Sequence, residues 1–309
     1  MLQVNQVVSM ENSGYSKCHM QIPTPILLKD RIRIFYSRRD SKNRSYICFL
    51  DVDKEDPKKI LYNQTSPIVN LGPIGSFDEY GCMPSCAIQV GDEIWLYYIG
   101  WSRDYELPYR LAIGLIKSDL QGKIFHKHSI GPILDRGKSV PYFATTPFVR
   151  HTPEGFEMLL SIGKEWKEID QHLEPRYELA ISRSQNGIDW TSPELFMIGL
   201  ENSEICIARP WILETENTKC ILVSVRSTLD YHGGIGSYKT YRTDFTELSG
   251  DCQKLHPKLL EFEVHPGLNN EMTAYSASLV TDKHVHYFFN GNGFGNTGIL
   301  FSSELKVRE

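Results

Sequence analysis

Five apolar, strand-like runs in this chain each break off into residues able to hold a ligand or do chemistry. The tails are Arg38-Arg39-Asp40, Trp101-Ser102-Arg103-Asp104, Lys164-Glu165-Trp166, Arg226-Ser227 and Asn290-Gly291-Asn292. Segments leading into the preceding strands add His19 to Gln21, Asp78-Glu79, Glu204 to Arg209, and Asn270-Glu271 with Tyr275. Gathered at one place, such rings, carboxylates, guanidinium groups and amides suit a sugar. Rings stack on its apolar face, and fixed polar groups read its hydroxyls. Two arginine forks, Arg38 and Arg226, could clamp a phosphate or a sugar carboxylate, or pair internally with Asp40, Glu204 or Glu271. Trp101 and Trp166 could be stacking platforms or packing residues. Asn290 and Asn292 sit where glycines would let the backbone approach a ligand, or would simply form a turn. His19 is the one imidazole in the set, able to exchange a proton near neutral pH.

The elements that would gather these residues repeat. Aligning Ser37, Ile99, Ile162, Val225 and Asn290 gives spacings of 62, 63, 63 and 65 residues, so five units nearly fill the 309 residues. Each unit opens with a short run ("PTPILL", "MPSCAIQV", "TTPFVRH", "RPWILE", "YSASLVT") and a polar turn, followed by the aligned strand. A third strand ("SYICFLDVD", "YRLAIGLIKS", "YELAISRS", "SYKTYRTD", "TGILFSS") and a looser fourth segment complete it. β-Branched and aromatic residues dominate, with no competing helical period. Four antiparallel strands per unit, repeated radially, predict an all-β, five-bladed propeller occupying residues 1–309 as one domain. The last unit stops after its third strand, and "LQVNQVVS" at the N-terminus would supply the fourth.

Composition excludes several classes. A net charge of -5 gives no electrostatic reason to expect nucleic acid or an anionic membrane. No run approaches the roughly 20 apolar residues that span a bilayer, and no basic-then-apolar leader is present. Seven scattered cysteines read as reduced thiols, and hence as a cytoplasmic protein. "CMPSC" has the wrong spacing for zinc or redox work, and His284 with His286 lacks a third ligand, so no metal or cofactor is expected.

Four phrases carry a resemblance: "HMQIPTPILLKDRIRIFYSRRDSKNRSYI", "GSFDEYGCMPSCAI", "YELAISRSQNGIDW" and "YFFNGNGFGNTGI". On them the chain resembles the five-bladed propeller glycosidase-like superfamily, which includes glycoside hydrolase families 43 and 32 and the family 130 phosphorylases. Its nearest likeness is to a branch found with polysaccharide biosynthesis genes. The resemblance implies a carbohydrate-active enzyme that cleaves or transfers a glycosyl unit, acting on a sugar, oligosaccharide or sugar phosphate. Two carboxyl groups would do the work, one protonating the leaving oxygen while the other activates water or attacks carbon. Asp78 is the principal candidate, with Glu204 or Glu271 as its partner. The sequence also departs from the hydrolase pattern. His19-Met20-Gln21 stands where family 43 enzymes carry their base, and "GKSVPYFATTP" has no glutamate where the general acid sits. A sugar-binding propeller without turnover and a protein-interaction propeller are the other readings.

Overall fold

The computed structural model describes residues 1–8, 19–169, 171–196, 206–226, 237–245 and 256–306; Glu204 lies outside them. The strands form five antiparallel groups of four. The first is β2 (Gln21–Leu27), β3 (Ile32–Arg39), β4 (Ser45–Val52) and β5 (Ile60–Gln64). The second is β6 (Gly81–Val90), β7 (Glu93–Ser102), β8 (Arg110–Asp119) and β9 (Phe125–Lys127), joined to the first by one parallel pairing, Ser45 with Gly81. The third is β10 (Ala144–Thr152), β11 (Gly155–Ile169), β12 (His172–Ser184) and β13 (Glu194–Leu195). The fourth is β14 (Cys206–Glu214), β15 (Lys219–Arg226), β16 (Lys239–Asp244) and β17 (Lys258–Leu259). The fifth combines β18 (Ala274–Val280), β19 (His284–Asn290) and β20 (Ile299–Leu305) with β1 (Asn5–Val8), which pairs with β20.

The opening strands β2, β6, β10, β14 and β18 touch one another in a closed cycle. They therefore ring an axis, and the other strands of each sheet step outward as a blade. This is the five-bladed propeller. Apolar side chains fill the wedges between blades: Trp95 stacks on Phe156 with centroids 6.0 Å apart, and Phe148 meets Trp211 edge-on at 5.0 Å. Arg33, almost wholly buried, forks onto Asp51 at 2.7 and 2.9 Å and donates to the Gly122 carbonyl, tying the first blade to the second.

Each axial strand carries a bulge at an equivalent place, between Gln21 and Thr24, Pro84 and Cys86, Thr145 and Phe148, Ala208 and Trp211, and Ala274 and Ala277. Four bulges hold a non-glycine residue at left-handed φ: Ile22 (55°), Thr146 (47°), Arg209 (56°) and Tyr275 (54°). That backbone is disfavoured for any L-residue with a Cβ, most of all for a β-branched one. In the second blade the place is taken by Pro84, whose ring forbids positive φ. The strand pairing also corrects the sequence alignment. Ser161 and Ser224, not Ile162 and Val225, correspond to Ser37, so the third and fourth units shift by one residue.

Candidate functional site

One end of the axis opens into a cavity of about 530 Å³ built by all five blades. The beginnings of the axial strands supply His19, Gln21, Ile22, Met83, Thr145, Thr146, Ala208 and Tyr275. The ends of the second strands supply Arg39, Ile99, Trp101 and Arg103; Tyr109 and Tyr238 come from just before the third strands β8 and β16, and Tyr177 from within β12. The bulges thus form the cavity floor, and three of their strained residues, Ile22, Thr146 and Tyr275, face it. No carboxylate lines the cavity among the described residues.

Of the residues given a role from sequence, His19, Gln21, Trp101 and Tyr275 meet there, together with Arg39 and Arg103 from the same strand tails. The His19 Nδ1 lies 3.0 Å from the Gly293 carbonyl. A carbonyl only accepts, so Nδ1 carries the proton and Nε2 keeps its lone pair. Burial, then the nearby Arg39 charge, hold its pKa below the usual histidine value, leaving a neutral imidazole at pH 7. Trp101 is buried and packs edge-on against Tyr80 at 4.8 Å.

Other expected residues stand elsewhere. Asp78 is almost wholly buried and takes hydrogen bonds from Lys127 Nζ at 2.6 Å, Tyr98 Oη at 2.7 Å and Ser76 Oγ at 3.0 Å. It holds the second blade together and lies away from the axial cavity, beside a separate surface depression. Glu271 is exposed on the loop before β18, where its backbone N–H donates to Asn292 Oδ1. Asp40 closes its own turn, accepting from the N–H groups of Lys42 and Arg44 and from the Arg44 guanidinium.

Arginines follow strand parity. With Ser161 and Ser224 in register with Ser37, the counterpart of Arg226 is Arg39, not Arg38. Arg39 lines the cavity and Arg38 does not. Arg226 is drawn back from it, fully buried, bonded to Glu174 at 3.0 Å, to the Pro175 carbonyl and to Cys206 Sγ. Arg209 lies behind the floor at the axis itself. Its guanidinium donates to the Ser85 carbonyl, to Ser85 Oγ at 2.8 Å, to Thr24 Oγ1 at 3.1 Å and to the Pro23 carbonyl at 3.3 Å. Three blades therefore meet on one side chain. Burial pulls its pKa down to about 9, still high enough to stay charged at neutrality.

Asn290 accepts from the Ile22 N–H at 2.9 Å and supports the first bulge from the fifth blade. Asn292 accepts from the N–H groups of Glu271 and Met272. Both amides shape the floor from behind. Trp166, which corresponds to no part of the Trp101 strand end, packs against Phe143 and Tyr109 at 5.7 and 5.1 Å. It backs a wall residue and does not itself line the cavity.

Sequence reasoning missed Tyr109, Tyr177 and Tyr238. Their signal was present, since the third-strand phrases of the first four blades open on or beside a tyrosine. Tyr177 shares hydrogen bonds with Tyr109 and Tyr238, and burial keeps its phenol well above neutral pH in pKa. These hydroxyls are polar, uncharged contacts for a ligand. Among the described residues no group of three or more His, Cys, Asp or Glu side chains is placed to hold a metal ion. Nor is any helix among them long and apolar enough to cross a membrane.

No protein-family model matches the chain. Over 289 residues it is 28% identical to an uncharacterized protein of Mycobacterium tuberculosis strain H37Rv, covering 92% of each chain. Among solved structures, a glycoside hydrolase superposes with a TM-score of 0.69 at 13% identity, over 98% of this chain and 92% of its own. A GH43_1 enzyme from Xanthomonas citri gives 0.64 at 12% identity, over 99% and 91%. The chain has the propeller fold of these glycoside hydrolases, and at such identities the likeness establishes the fold alone.

Proposed function

We propose that this protein is a carbohydrate-active enzyme that holds a glycosyl unit in the axial cavity and cleaves or transfers it. The observation that carries this reading is the cavity itself: five blades converge on a sugar-sized space whose wall is aromatic in Trp101 and the tyrosines and polar elsewhere. The ligand is a sugar, alone or as an oligosaccharide or sugar phosphate. Asp78 and Glu271 are not available in the cavity, so the acid–base work falls to His19 and Glu204. His19 offers a neutral imidazole with a lone pair on Nε2; Glu204 stands two residues before Cys206, where the fourth axial strand begins. The setting we propose is the cytoplasm, supported by five buried free cysteines.

The test is turnover of glycosides and sugar phosphates by the intact protein, followed by mass spectrometry, with ligand binding read in parallel. Glu204→Gln and His19→Asn should each abolish turnover while binding persists. A second reading, a sugar-binding propeller without turnover, is favoured by the lack of a carboxylate among the described lining residues. In that case a sugar at ~100 times its Kd would stabilise the fold by about 2.7 kcal/mol with no product formed. Absence of both binding and turnover for every sugar would overturn both readings.

A further inference from the structure

The charge in the cavity is one-sided. Arg39 and Arg103 line it beside the neutral His19, no described carboxylate does, and the buried Arg209 guanidinium sits behind its floor. Arg103 is exposed, and its guanidinium stacks over the Tyr80 ring at 4.0 Å. The neighbouring carboxylate, Asp104, is taken by Arg110. The Tyr80 hydroxyl in turn donates to the Lys42 carbonyl at 2.7 Å, and the adjacent Asn43 accepts from Arg39 Nη1 at 2.9 Å. A continuous chain of contacts, Arg39–Asn43, Lys42–Tyr80 and Tyr80–Arg103, therefore fixes two guanidinium groups from different blades on one wall. Planar forks held this way recognise planar or tetrahedral oxyanions. Sugar hydroxyls alone need no such concentration of positive charge.

We infer that the glycosyl ligand carries an oxyanion, a phosphate or a carboxylate, which Arg39 and Arg103 grip at the wall while the aromatic side holds the ring. This rests on the proposed function and narrows it to anionic sugars. A lowered His19 pKa, caused in part by Arg39, agrees with a positive local field.

The experiment is calorimetric titration of the full chain with matched sets: glucose, mannose and galactose, their 6-phosphates, their uronic acids, and inorganic phosphate alone. At least one anionic sugar should bind about tenfold or more tighter than its neutral counterpart, as charge-assisted hydrogen bonds do. The 6-phosphate and uronate arms name the source of the anion. R103Q and R39Q should each bring that sugar down toward the neutral affinity, and R103K should fall between, since an ammonium keeps charge without the fork. Arg103 is exposed, so R103Q should melt with the parent protein. Neutral sugars binding as well as their anionic partners would overturn this inference and leave the sugar cavity standing. An anionic preference surviving R39Q/R103Q together would also overturn it. Inorganic phosphate binding as tightly as any sugar phosphate would support the anion grip but refute the glycosyl reading. Silence throughout the panel would overturn this inference, and the sugar reading falls with it when neutral oligosaccharides are silent as well.

Discussion

Two buried arginines show how differently one residue type is used in this molecule. Arg209 bridges blades through neutral acceptors, whereas Arg226 is fully buried against the equally hidden Glu174. Removing one partner of that pair strands a charge, so Glu174→Leu or Arg226→Met should each cost about 3–5 kcal/mol in urea unfolding. The double variant should recover much of that loss, because a well-packed apolar pair needs no compensation. Protonation gives a second prediction. His286 is buried between Ser303 Oγ and the Lys54 carbonyl, and burial, with His284 adding to it, lowers its pKa below 6.5. His19 is shifted the same way. For both, the unfolded chain binds protons more readily, so stability is full above pH 6.5 and declines as pH falls from there through the lowered folded values. Melting temperatures between pH 8 and 5 should show this decline, and His286→Gln should flatten it. At this scale the sequence was partly legible. Tails and strand entrances held the lining residues, but choosing between adjacent Arg38 and Arg39 needs the pleat, and two like neighbours hide its phase. Asp78 was misplaced for a related reason: a turn carboxylate can point either way until Tyr98 and Lys127 are seen to claim it.

Among the elements, the axial strands decide the site. Their bulges turn Ile22, Thr146 and Tyr275 toward the cavity, with the backbone at positive φ. Strain of this kind, about 1–2 kcal/mol per residue, persists where the surroundings over-determine it. It yields an inverted ranking. At an ordinary strand position glycine is worse than alanine by about 0.5–1 kcal/mol. At Ile22 glycine should be the better of the two, since both lose the same buried side chain beyond Cβ and only glycine relaxes at φ 55°. Chemical denaturation of Ile22→Gly and Ile22→Ala decides it; alanine proving more stable would show the backbone to be unstrained. The repeat made these strands visible in the sequence, but not the bulges. Each bulge adds one residue at the same place in every blade, so it leaves the repeat spacing unchanged and gives no signal in the sequence.

For the molecule as a whole, closure of the ring is the central feature. β1 lies against β20, with Asn5 opposite Phe301, and Val7 and Val8 share a buried cluster with Ile299 and Phe301. Deleting residues 1–8 would bare the β20 edge, which invites pairing with another chain. The truncated protein should melt lower and form dimers or aggregates by light scattering, and a peptide of residues 1–8 added in trans should partly restore it. A truncated protein as stable and monomeric as its parent would mean that the ring holds without this strand. The five-fold repeat made the architecture legible in the amino-acid sequence itself. It left open the parallel pairing of Ser45 with Gly81 that joins the first two sheets, because a single bridge between blades has no local signal. The same join makes the start of the polypeptide a matter of convention. With the last blade woven from both ends, a circular permutant that links them and opens the exposed Gly91–Asp92 turn would keep every blade while moving the seam to the second.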